Sequence, residues 1–348
     1  FLLSLSTHVS TACENIDLNF THAFLPPVFV TVFVVGTISN IWGLRSVYTS
    51  WNNIGNINIF MFNLGVADLL YLFTLPFLVY YYARQSEWLF GQPFCKVTRF
   101  CFNLNLYGSI GFLTCISIYR YLGIVHPMKV MGKITSRHSL TISALVWILV
   151  IIQIIPDMFF DKNDDRLRNA CFDTTSGNLT ADYLPYSIGW AVTGFALPLV
   201  IILVCYGHVM VVLARKANVN PILKQRCLRL VVILVILFSI CFIPYHVFRN
   251  LNLATRILKR DGICHHIFND IYIAHQVGRG LACLNSAINP LIYIVGNDDF
   301  LLKLQHFSKR TRLTFTILTG AVMYRKPMEP EEGDSPADNC TSFDLMRE

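Results

Sequence analysis

Seven stretches of this chain are long and apolar enough to cross a lipid bilayer as helices, near 25–48, 57–83, 96–122, 139–159, 183–213, 229–252 and 267–295. A helical span needs about 20 mainly apolar residues, and each stretch supplies them. No other feature narrows the choice of fold as far. The prediction is an all-α membrane protein, a seven-transmembrane helix bundle over 25–295 joined by short connections. Composition agrees: 14% of the 348 residues are charged and 54% hydrophobic, where soluble domains carry about 25% charged residues. No internal repeat divides the seven stretches into inverted halves, as in many transporters.

Basic residues near span ends set orientation. With the N-terminal tail 1–24 outside, seventeen of the 28 Lys and Arg fall in inner segments, among them Arg45, Arg120, Arg137, Arg215, Lys224, Arg226 and Arg229. Two glycosylation sequons, at Asn19 and Asn178, then lie outside, the second in the long outer loop 160–182. The outer half carries eleven bases and eleven acids, Asp157, Asp164 and Asp165 among the latter, so the formal +7 belongs to the inner side. Four of eleven cysteines, Cys13, Cys95, Cys171 and Cys264, fall in outer segments, where oxidation is expected. Four cysteines allow three pairings, and counting does not choose among them.

Several polar groups interrupt the spans. Arg279 is the only formally charged residue between Asp270 and Asp298. A cation in such a stretch costs about 2.5–3.5 kcal/mol even on lenient insertion scales, which calls for an anion or a watery cavity. Arg99 and Arg249 lie near the outer thirds of spans three and six, where snorkelling to the headgroups competes with a binding role. His246 and Arg249 share one helix face, as do Tyr272, Gln276 and Arg279. A planar guanidinium suits phosphate or carboxylate, and Tyr107 and Tyr272 add ring surface and hydroxyls. Deeper in the spans lie Asn40, Asp68, Asn285, Asn289 and Tyr293. The acid Asp68 is the costliest of these and calls for a polar network or a cation such as sodium. Pro76, Pro156, Pro198, Pro244 and Pro290 each break a span and mark hinges. No Ser/His/Asp set, metal cluster or phosphate-cradling loop stands out, so neither an enzyme nor a cofactor is expected.

The order of these residues resembles the rhodopsin-type receptors that couple to G proteins: Asn40, Leu64-Gly65-Val66-Ala67-Asp68, Cys95 with Cys171, Arg120, Trp147, Pro198 with Tyr206, Phe242-Ile243-Pro244-Tyr245, and Asn289-Pro290 to Tyr293. Two residues depart from that pattern, Tyr119 where the family usually has Asp and Phe242 where many members have Cys-Trp. Within the class the chain is similar to purinergic nucleotide receptors, in a subgroup resembling the ADP receptors. The segments that carry this are Trp88–Gly91, Asn105–Ser109, Cys171–Thr175, His246–Arg249 and Gln276–Gly280. His275 departs from that subgroup, standing where close relatives have Tyr.

The resemblance implies disulfides Cys95–Cys171 and Cys13–Cys264, an inner-leaflet amphipathic helix over 296–308, and a cytoplasmic tail over 309–348. It also implies a ligand set: Arg99, Phe102 and Tyr107 of span three, Asp173 and Thr174 of the outer loop, His246, Arg249 and Asn252 of span six, and Tyr272, His275, Gln276 and Arg279 of span seven. Asp68, Arg120, Tyr206, Pro244, Asn289, Pro290 and Tyr293 would carry the signal inward. The expected function is a plasma-membrane receptor for an extracellular nucleotide that activates heterotrimeric G proteins by the phospholipase C and calcium route. Receptor kinases acting on Ser335, Thr341 or Ser342, and arrestin, are further expected partners; nucleic acid is not. A receptor for a small dicarboxylate and an anion transporter or channel are the alternatives that the same arginines suggest.

Overall fold

The computed structural model describes residues 16–49, 56–126, 135–160, 170–171, 174–175, 179–215 and 233–290. Among the described residues are seven helical rods: α1 (Asn19–Thr49), α2 (Ile57–Ala83), α3 (Gln92–Val125), α4 (Ser136–Phe159), α5 (Thr180–Arg215), α6 (Ile233–Arg260) and α7 (Ile267–Ile288). The first six are long and apolar enough to span a membrane. The seventh is the polar one, carrying His275, Gln276, Arg279, Asn285 and Ser286 among its buried residues. Helices α5, α6, α7, α1 and α2 touch in that order, and α2 also meets α4. The hydrogen bonds of Tyr183 to Asp157 and of Tyr186 to the Gln153 carbonyl join α4 to α5 and close the ring. Helix α3 runs through the middle and touches α2, α4 and α5.

The bundle is apolar outside and polar within. Ile38, Leu149 and Val204 are about two-thirds exposed, whereas Asn40, Asp68, Asn285 and Asn289 are wholly buried. That inversion fits a solvent of lipid, where apolar side chains cost nothing at the surface and polar groups must find partners inside.

Prolines shape the rods as their chemistry requires. The ring lacks a donor and presses on the carbonyl four residues back. Helix α2 breaks at Phe73–Thr74, two residues before Pro76, and the Thr74 hydroxyl bonds the Tyr71 carbonyl at 2.7 Å. Helix α4 tightens into a 3-10 turn, Ile155–Phe159, at Pro156. Widened π turns cover Ala191–Ala196 and Phe238–Phe242, immediately before Pro198 and Pro244. Helix α7 ends at Ile288, and Asn289 turns the chain into Pro290. The expected helix at 296–308, Tyr293 and the tail lie outside the described residues.

Candidate functional site

A disulfide joins Cys95, in the first turn of α3, to Cys171 across 76 residues of chain. It pins the segment after α4 onto one end of the bundle, hereafter the disulfide end. Cys264 is also disulfide-bonded; Cys13, its expected partner, lies outside the described residues.

All three arginines are buried at this end. Arg99 and Arg249 are among the largest fully buried side chains, so neither snorkels, and Arg279 is 3% exposed. They do not form one cluster. Arg99 donates through Nη2 to the Cys171 carbonyl, and the Cys171 N–H in turn donates to the Tyr81 hydroxyl at 3.2 Å. Arg279 donates to the Tyr82 hydroxyl and, at 3.3 Å, to Gln276 Oε1. Its guanidinium also lies over the rings of Tyr82 and Phe29, at 5.1 and 5.9 Å. Both guanidiniums are within electrostatic reach of Tyr71 and Cys283. This half of the site thus draws on α1, α2, α3 and α7.

Arg249 occupies a separate box between α5 and α6. Its guanidinium lies 5.7–5.8 Å from the ring centres of Tyr183, Trp190 and Tyr245, a cation–π setting that stabilises charge out of water. Nη2 donates to the Tyr183 hydroxyl at 2.7 Å. That hydroxyl donates to Asp157 Oδ1 at 2.7 Å, and Asn103 donates to Oδ2 at 3.2 Å. His246 stacks on Phe195 at 4.5 Å and stands 5.7 Å from the Tyr107 ring. Phe102 lies between the two halves, touching Tyr71 on one side and Tyr245 on the other.

Other expected ligand residues close the rim. The Thr174 hydroxyl accepts from Arg256 Nη1 at 2.9 Å, while Nη2 holds the Thr175 carbonyl at 2.8 Å, tying the segment after the disulfide to α6. The Tyr272 hydroxyl meets Thr21 at 2.8 Å, and Asn252 faces His275 at 3.5 Å. Asn19 is exposed at the start of α1. Asp173 and Asn178 lie outside the described residues.

About two turns further along α3 and α7 from these arginines lies a second buried site. Asp68 accepts from Asn105 at 2.7 Å and from Asn289 at 3.0 and 3.1 Å. Ser286 donates to Asn105 Oδ1 at 2.9 Å, and Asn40 donates to the Ser286 carbonyl at 2.7 Å. Helices α2, α3 and α7 are thereby joined through one carboxylate, and α1 joins them through the Ser286 carbonyl. The carboxylate oxygens accept from these two amides, and the Ser109 hydroxyl lies 3.5 Å from both amide nitrogens. Among the described residues no group of three or more His, Cys, Asp or Glu is placed to hold a metal.

Tyr82, Tyr183, Arg256 and above all Asp157 escaped sequence reasoning. Asp157 follows Pro156 and precedes Asp161, Asp164 and Asp165, so it counts there as one more loop acid. In the structure it is 2% exposed. The signal was its position one residue after a proline that only tightens, and does not end, the apolar rod.

A bundle of seven membrane helices, closed at one end by a disulfide and holding buried cations above a buried carboxylate, defines a seven-helix membrane receptor. The comparisons with known proteins specify which. Residues 44–293 match the family described as 7 transmembrane receptor (rhodopsin family). Purinoceptor 1 of Homo sapiens is 38% identical over 319 residues, covering 88% of this chain and 84% of its own. The same receptor of Meleagris gallopavo is 37% identical over 311 residues, 87% of this chain and 84% of its own. Purinoceptor 4 of Xenopus laevis is 35% identical over 308 residues, 86% of this chain and 56% of its own. The chain belongs to the purinoceptor family of rhodopsin-type, G-protein-coupled receptors, a family of receptors and not of enzymes.

Proposed function

We propose that this receptor binds an extracellular nucleotide, of the ADP or ATP kind, at the disulfide end and activates heterotrimeric G proteins from the other. The observation that carries the reading is the burial of Arg99, Arg249 and Arg279 at one end of the bundle of a purinoceptor-family chain. Three guanidiniums withdrawn from water are costly unless an anion repays them, and phosphate oxygens match their donor forks. Arg99 and Arg279 sit on the α1–α2–α3–α7 side and Arg249 on the α5–α6 side, so a polyphosphate with its nucleoside would span Phe102 between them.

In this reading the disulfide end and residues 1–24 face outward, with the loop 160–182, and Asn19 and Asn178 are glycosylated. Residues 296–308 form a helix on the inner leaflet, and 309–348 form the cytoplasmic tail, the substrate of receptor kinases and the partner of arrestin. A ligand that holds one arrangement of α3, α6 and α7 better than another shifts the equilibrium between them. The π turn before Pro244 and the turn at Asn289–Pro290 absorb the change, opening a cleft lined by Arg120 and Tyr206 for the G protein, with calcium release through phospholipase C as readout.

Arg279→Ala tests the site. ADP potency in a cellular calcium assay should fall at least tenfold, the loss of about 1.5–3 kcal/mol expected for a hydrogen bond to a charged group. Unchanged potency at equal surface expression would sink the assignment. Succinate tested beside ADP, ATP and UTP separates the dicarboxylate reading.

A further inference from the structure

The line Arg249–Tyr183–Asp157–Asn103 ties α6, α5, α4 and α3 by three hydrogen bonds of 2.7, 2.7 and 3.2 Å. Every member is buried, the acid 2% and the arginine 1% exposed. A cation, a hydroxyl and a carboxylate in series polarise one another, and the hydroxyl passes most of the compensation between the charged ends. The carboxylate also acts electrostatically on Tyr107 and Tyr186, so its field extends across the α5–α6 half of the site. Arg249 bonds Tyr183 through Nη2, and the Tyr107 hydroxyl stands beside the same guanidinium. The arrangement thus fixes the guanidinium in place.

We propose that Asp157 determines how much negative charge the receptor's ligand may carry. Through the Tyr183 hydroxyl it positions Arg249, and its own charge subtracts one from the three arginine charges of the disulfide end. This rests on the nucleotide reading above. A ligand with one more phosphate charge gains from the arginines and is repelled by Asp157. Neutralising Asp157 while keeping its acceptor for Tyr183 removes the repulsion, and removing the Tyr183 hydroxyl removes the positioning while keeping the charge.

The experiment is competition by ADP and ATP against a labelled nucleotide, on membranes carrying the full chain and with divalent cations chelated. Asp157→Asn keeps the shape and an acceptor for Tyr183 and should shift the ATP-to-ADP affinity ratio toward ATP by about fivefold to fifteenfold. That is the effect of one unit charge at about 10–15 Å in an effective dielectric constant of about 20. Tyr183→Phe keeps the charge and the ring, so it should weaken both nucleotides and hold their ratio within about twofold. Should Asp157→Asn fail to reach the membrane for want of a counter-charge to Arg249, the same increment is read in an Arg249→Gln background, where the cation tied to Asp157 is gone. An unmoved ratio in Asp157→Asn, or an equal shift in Tyr183→Phe, overturns the inference. Wild-type receptor that binds neither nucleotide overturns the nucleotide reading itself.

Discussion

Gly278 of α7 lies against the backbone of the proline hinge of α6, and substituting it measures how tightly that hinge is held. A β-carbon built there would stand 3.0 Å from the backbone nitrogen of Tyr245 and 3.1 Å from the Pro244 carbonyl carbon and the Tyr245 α-carbon. Ordinary carbon contacts begin near 3.4 Å, so the two helices must part by about 0.4 Å, and backbone cannot rotate aside as a side chain can. Overpacking of this kind costs about 1–3 kcal/mol. Replacing glycine by alanine within a helix returns about 1 kcal/mol. Gly207 supplies the control, since it is helical, exposed, and has nothing within 4 Å of an added β-carbon. Gly207→Ala should collect the gain alone, so the two variants differ by the contact. At about 2–4 °C per kcal/mol, Gly278→Ala should melt about 2–12 °C below Gly207→Ala in a detergent thermal-shift assay. Equal or higher melting of Gly278→Ala would refute the close approach of α7 to Pro244.

Two further outcomes rest on the buried bonds. Asn105→Ala strips Asp68 of its 2.7 Å donor and Ser286 of its acceptor, and should cost about 1–3 kcal/mol per group left unpaired, read as a lowered melting temperature; an unchanged one would mean the network is not held by Asn105. Cys171→Ser opens a 76-residue closure worth about 4 kcal/mol on the chain-entropy account and frees the carbonyl that Arg99 holds. Surface expression measured by antibody should drop sharply, and wild-type levels would contradict it.

Much of this receptor was legible along the chain, because lipid imposes its rule locally. Twenty apolar residues in a row announce a span whatever lies beside it, and α1 to α6 follow that rule. Prolines announced the breaks in α2, α4, α5 and α6, since the missing donor acts on the helix's own preceding turn. The cost of a lone Arg279 was equally local. The division of the arginines into two groups was not, nor was the role of Asp157, because each depends on partners far apart in sequence. Tyr82 stands 197 residues from Arg279, and Tyr183 stands 66 from Arg249.

Along the chain alone one reads a polar-cored bundle of membrane helices carrying buried cations. Which groups meet each cation follows from how the helices pack: Arg279 meets the Tyr82 hydroxyl of helix α2, Arg99 the disulfide-pinned carbonyl of Cys171, and Arg249 a tyrosine hydroxyl that itself donates to Asp157. The reason is that transfer energy is a property of each residue and its neighbours in the chain. A hydrogen bond of 2.7 Å such as that from Arg249 to Tyr183, by contrast, depends on the angle and register at which distant helices meet.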